Sequence, residues 1–131
     1  YTAVECQDGY IILAVGNDGQ FARFAKILGR AEWAQMDDYR TNAARVINRT
    51  DLMGLIESET KTWLKSDLLT ACENEKVPAG PINDLAEVFA DPQVQHRELQ
   101  LDLDGVPSVR NPIRFSNIEL PDPRPSPKRE E

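Results

Sequence analysis

His96 is the only histidine in the chain. A Ser-His-Asp or Cys-His arrangement would therefore have to run through it, and neither a GxSxG elbow nor any comparable nucleophile context accompanies it. It reads as a surface residue on a short helix before Arg97. One imidazole with scattered carboxylates also falls short of the convergent N or S donors that zinc and similar metals require. Cys6 and Cys72 stand far apart, with no CxxC and no interleaved His, so neither a zinc site nor a secreted disulfide framework is indicated. Asp37 and Asp38 are adjacent carboxylates, but sequence neighbours do not face each other, so a proton-sharing pair is not implied; capping or solvation of a helix end is the simpler role. No residue is assigned as catalytic and none as a metal ligand.

Gly16-Asn17-Asp18-Gly19 lies between a strand and a helix N-terminus, where backbone N–H groups can hold an anion. Asp18 places a negative charge at that mouth, and neither GxGxxG nor the Walker pattern is satisfied, so a structural turn and cap is the reading. Where a ligand touches this loop, Asn17 and Gln20 supply the donors. Arg23, Lys26 and Arg30 are spaced along one helix face that could meet an anionic ligand or an acidic partner; a solvated face is the default. Phe21, Phe24, Trp33 and Trp63 at helical spacing are core.

The elements that position these residues follow from periodicity and punctuation. Asp8-Gly9 is a turn signal, and Tyr10 to Val15 is an apolar, β-branched run that describes a buried strand. Asn17 then opens a helix, with Gln20 placed for a capping box, Phe21, Phe24, Ala25 and Leu28 on one face, and Gly29 at the C′ position. Short helices follow at Ala31 to Met36 and Thr41 to Ile47. Asn48 or Thr50 caps a helix running to about Trp63, and Ser66 caps another with Leu68, Leu69 and Cys72 turned inward. Val77-Pro78-Ala79-Gly80-Pro81 reads as a stiff extended linker, because its two prolines remove donors and push their neighbours toward extended geometry. Asn83 or Asp84, with Glu87, caps a further helix. Asp91-Pro92 restarts a short one, expected to end near Glu98. Leu99, Leu101 and Leu103 alternate with polar residues up to Asp104-Gly105, which predicts a hairpin returning through Val106 to Val109, and Ile113 to Phe115 offers one more strand. From Pro121 onward the tail is rich in proline and has no aliphatic residue, a composition expected to stay flexible.

At 131 residues the chain fits one domain or a piece of a larger protein. Tyr1 in place of Met leads to the expectation that it begins inside a longer gene product. Residues 1–120 are expected to form an α+β domain with a small, largely antiparallel sheet and several helices, and 121–131 the tail. A net charge of −7 and a pI near 4.7 argue against nucleic acid, whose binding depends on clustered Lys and Arg. The longest apolar run, Ile11 to Val15, is far short of the roughly 20 residues of a membrane helix, and no signal peptide precedes it. The isolated cysteines fit a reducing cytoplasm.

Three stretches carry a family resemblance. Asp8 to Phe21 (DGYIILAVGNDGQF) resembles the strand and helix that open the small domain of the class III coenzyme A transferases, the CaiB/BaiF type that includes formyl-CoA transferases, carnitine CoA-transferases and α-methylacyl-CoA racemases. Thr41 to Arg49 (TNAARVINR) resembles a segment soon after it, and Val77 to Val94 (VPAGPINDLAEVFADPQV), continuing through Arg97, is the most specific. The resemblance spans Tyr1 to about Phe115. It implies a two-domain enzyme whose two identical chains are threaded like links, with a larger Rossmann-like domain that binds coenzyme A and carries an aspartate. That carboxylate attacks the donor thioester, and an acceptor acid then takes coenzyme A; racemase relatives instead move the proton α to the thioester. The aspartate and a flanking glycine-rich loop lie upstream of the matching region, and the family's closing Gly-Glu-His run is replaced here by Pro121 to Glu131. The implied role is thus a wall of the site, through Asn17, Gln20 and Gly80, together with support for dimerisation. No cofactor is expected on this chain alone, and coenzyme A or acyl-CoA is the substrate of the full-length enzyme. Expected partners are the rest of that enzyme and a second copy. The rival readings are an independent binding or assembly module derived from such an enzyme and the small domain of an acyl-CoA racemase.

Overall fold

Gly9 adopts φ +142°, a conformation that glycine tolerates without Cβ strain. It follows the turn at Gln7 and Asp8, one residue earlier than the Asp8-Gly9 signal, so that β1 (Thr2–Cys6) pairs antiparallel with β2 (Gly9–Leu13) in a computed structural model describing residues 1–118, 121 and 123–127. β1 was not legible in advance, because its five residues place only Val4 and Cys6 inward. The strand expected over Tyr10 to Val15 stops at Leu13, although Ala14 N–H still donates to the Pro78 carbonyl at 2.9 Å.

The expected linker is extended, as its prolines require, but it is a strand. β3 (Ala79–Ile82) pairs antiparallel with β2 and completes the sheet order β1-β2-β3. Pro81 can give no ladder hydrogen bond, and β3 accepts it because it is an edge strand.

α1 (Asp18–Ile27) begins at the Asn17 cap and ends in a Schellman motif: Gly29, at φ +72°, donates to Lys26 O at 3.0 Å, and Arg30 N–H donates to Ala25 O at 2.8 Å. A short 3-10 helix (Ala31–Gln35) seats Trp33 in the core, and Thr41 caps α2 (Asn42–Ile47). α3 spans Arg49–Thr60, ending before Trp63; Asn48 is its N-cap residue by backbone position but makes no side-chain cap bond. α4 spans Lys65–Asn74 with Leu64, not Ser66, at its N-cap. Its first amide is satisfied from outside the helix, since Lys65 N–H donates to Asp8 Oδ1 at 2.7 Å.

The inward side chains Val4, Cys6, Ile11 and Leu13 pack with Phe21, Phe24 and Leu28 of α1, Leu52 and Ile56 of α3, and Leu68 and Cys72 of α4 in one cluster. Fully burying each large apolar side chain is worth roughly 1.5–3 kcal/mol. These residues belong to a compact unit, Tyr1–Ile82.

A second unit begins at Asn83. Asp84 and Glu87 form the expected capping box of α5 (Leu85–Ala90), with reciprocal bonds of 2.8 and 2.9 Å. Asp91 caps α6 (Pro92–His96), which stops two residues before Glu98. β4 (Gln100–Leu103) and β5 (Val106–Val109) pair antiparallel around Asp104 (φ +56°) and Gly105 (φ +82°), the two left-handed positions of a type I′ turn. Ile113 to Phe115 forms no strand: the Ile113 amide donates to Asn111 Oδ1 at 3.0 Å, a local turn bond in place of a ladder bond. In the expected tail, Pro121 and residues 123–127 form neither helix nor strand, and the remaining positions lie outside the described residues. The molecule is α+β, with six α-helices and two small antiparallel sheets among the described residues.

Candidate functional site

β2 leaves the sheet at Leu13 directly opposite Ala79, where β3 enters. The loop to α1 and the start of β3 therefore share one end of the sheet. Asn17 Oδ1 accepts from Gln20 N–H at 2.9 Å, the expected cap bond. The reach-back goes one residue further than a capping box: Gln20 Oε1 accepts from Gly16 N–H at 2.8 Å. Both side-chain oxygens thus hold the loop, while the donors a ligand would meet are the amide nitrogens. Gly80 pairs with Ile12, and a Cβ there would lie 3.5 Å from Ile12 Cγ2, an ordinary contact. Internal packing therefore does not demand glycine at this position.

Asp18, the negative charge at the mouth, is answered by a residue to which sequence reasoning assigned no role. Arg45 Nη2 donates to Asp18 Oδ1 at 2.7 Å, its Nη1 donates to Tyr39 O at 2.8 Å, and its guanidinium carbon lies 4.5 Å from the Phe21 ring centroid. Only 8% of Arg45 is exposed, whereas its apolar neighbours Val46 and Ile47 face outward. The signal was a lone arginine in an otherwise small and apolar turn, and the orientation of α2 reverses what that pattern suggests. Beside Arg45 a cleft of about 150 Å³ opens, with Leu13, Val15, Phe21, Arg49 and Met53 in its lining.

The basic face of α1 meets the chain's own acceptors. Lys26 pairs with Glu75 at 3.1 Å, Arg30 with Glu59 at 2.8 Å, and Arg23 Nη2 reaches Lys76 O at 3.4 Å. Hydrogen bonding to Glu59, then its charge, holds the Arg30 guanidinium more firmly protonated than usual. Arg23 Nε is buried without a hydrogen-bond partner among the described residues.

His96 is exposed at the end of α6, Asp37 pairs with Arg40 at 3.0 Å on the surface, and Asp38 is exposed. Trp33 and both α1 phenylalanines are buried, and Trp63 is partly so. Cys6 and Cys72 are free and buried. Burial raises both thiols, Cys72 to about 11; for Cys6 the Asp8 charge adds to the rise and Lys65 opposes it. Among the described residues no three His, Cys, Asp or Glu side chains converge as metal ligands, and no helix is long and apolar enough to cross a membrane. The arrangement can present donors and a shaped wall.

A profile of CoA-transferase family III matches residues 1–131. The succinate–glutarate CoA-transferase of Agrobacterium fabrum is 51% identical over 133 aligned positions, which cover 98% of this chain and 33% of that protein. The human succinyl-CoA:glutarate CoA-transferase is 38% identical over 97% of this chain and 30% of its own length. Among solved structures, a CaiB/BaiF family protein from Brucella suis superposes with a TM-score of 0.90 at 48% identity, covering 98% of this chain and 34% of that one. This chain therefore spans about a third of the length of the relatives it matches.

Proposed function

The chain belongs to CoA-transferase family III, and on that premise we propose that it serves as the small domain of an enzyme moving coenzyme A from an acyl-CoA to a carboxylic acid. In this role it lines one wall of the active site and supports dimerisation. The acids are short dicarboxylates, a reading supported by 51% identity to a succinate–glutarate transferase across nearly the whole chain. The observation that carries the wall assignment is the convergence of the Gly16–Gln20 loop and the start of β3 at one end of the sheet, where Leu13 pairs with Ala79. Asn17, Gln20 and Gly80 face the reacting groups from there.

Alone, the domain transfers nothing: its histidine is exposed and solitary, and its thiols are buried and protonated. Two unpaired thiols also support a reducing, cytoplasmic setting.

The test is a chimera in which this chain replaces the matching third of the Agrobacterium enzyme. Transfer of coenzyme A from succinyl-CoA to glutarate is expected in the chimera and absent from the chain alone. Turnover by the isolated chain, or a folded chimera without transfer, overturns the proposal.

A further inference from the structure

The three-stranded sheet has two faces of unequal character. Along β2, Ile11 and Leu13 point into the core, while Tyr10 and Ile12 point outward and remain 49% and 40% exposed. The register sets Ile12 between Ala3 and Gly80, and Tyr10 between Glu5 and Ile82, the last 44% exposed. An antiparallel sheet with one solvated face carries polar residues on that face. Here five of the six positions in these two rows are apolar or glycine. The one charge, Glu5, is held by Lys61 at 3.0 Å.

The sequence pattern agrees. Tyr10 to Leu13 reads as a continuous apolar run, the signature of a strand covered on both sides, yet only the inner side is covered by α1, α3 and α4. The relief of the outer face also suits a packed neighbour. Gly80 lies outside the left-handed region and nothing inside the fold requires it, so the outer face is low at Ala3 and Gly80, on either side of Ile12.

Resting on family III membership, we propose that this outer face, built from Ala3, Tyr10, Ile12 and Ile82, is the seat on which the larger remaining part of the transferase polypeptide packs. Two facts select that occupant. The relatives are about three times as long as this chain, so most of the family's fold lies outside it. The face is also too small for self-association. Three strands at ordinary spacing present on the order of 300 Å², against roughly 800 Å² per partner in a standard interface. A contact of that size suffices between parts of one polypeptide, because the tether supplies a high effective concentration.

The experiment is hydroxyl-radical footprinting of Tyr10, read by mass spectrometry, in the 131-residue chain and in the chimera described above. Tyr10 oxidation is expected to fall severalfold in the chimera. Equal oxidation in both overturns the proposal, as does protection in the isolated chain that grows with concentration and accompanies a dimer in sedimentation equilibrium, which would assign the face to a second copy. If the chimera does not fold, the same readout is taken on the chain titrated with the separately expressed remainder of the Agrobacterium protein. As a second measurement, Ile12→Glu and Ile47→Glu should each leave the melting midpoint of the isolated chain within about 3 °C. Only Ile12→Glu should lower that of the chimera, and equal effects there count against the proposal. Footprinting needs no turnover, so protection without transfer leaves this inference standing while the functional reading fails, and transfer without protection does the reverse.

Discussion

At the scale of single residues, burial decides what each polar group can do. Arg45 occupies an 8%-exposed position in which Asp18, the Tyr39 carbonyl and the Phe21 ring face supply its partners. Only Tyr39 is near it in sequence, and Asp18 lies 27 positions away, so its role was not legible there. Cys72 is the opposite case, a thiol 1% exposed and raised to about 11 by burial and, secondarily, by Cys6. Its folded value lies above the unfolded one of about 8.5. The stability linked to this proton is therefore fully present below about pH 8.5 and is lost as pH climbs toward 11, at up to about 1.4 kcal/mol per unit. Urea unfolding at intervals from pH 7 to 10 should show a steeper decline above pH 8.5 in the native chain than in Cys72→Ala. Parallel declines would mean that the thiol is not protected by the fold.

At the scale of elements, local signals located the helices, and tertiary contacts decided several of their ends. Asn17, Thr41, Asp84 and Asp91 cap helices as their spacing to the first turn requires, because a cap bond spans only two or three residues. α4 differs. Ser66 looked like its cap, but the chain enters the helix at Leu64, and Asp8, far away in sequence, reaches across to the Lys65 amide. Replacing Asp8 with Ala should cost about 1 kcal/mol in denaturant unfolding, whereas Ser66→Ala should stay within about 0.5 kcal/mol. The reverse order would restore Ser66 as the cap. The strands divide in the same way. The β4–β5 hairpin was legible because alternation and Asp104-Gly105 are local, while β1 and β3 are short edges whose status depends on β2 lying between them.

At the scale of the whole molecule, every buried side chain among the described residues lies between Val4 and Val77. The unit from Asn83 onward keeps its caps, turn and hairpin, but none of its described residues is buried. Native-state hydrogen exchange of the isolated chain should therefore find the slowest amides in β2, α3 and α4, with those of α5, α6 and the hairpin exchanging at least about a hundredfold faster, a difference of roughly 3 kcal/mol. Equal protection in the two units would refute this distribution of stability. The amino-acid sequence by itself determined the α+β class, most helix positions, the hairpin turn and the family, because periodicity, caps, turn residues and long ordered similarity are all properties of the chain read in order. Only the tertiary structure decided that Pro78 to Pro81 leads into a sheet edge, that Asp18 is neutralised by Arg45, that Asp8 caps α4, and that Tyr10, Ile12 and Ile82 share one uncovered face. Each of these depends on residues distant in sequence being brought within a few ångströms, and the spacing along the chain does not encode that.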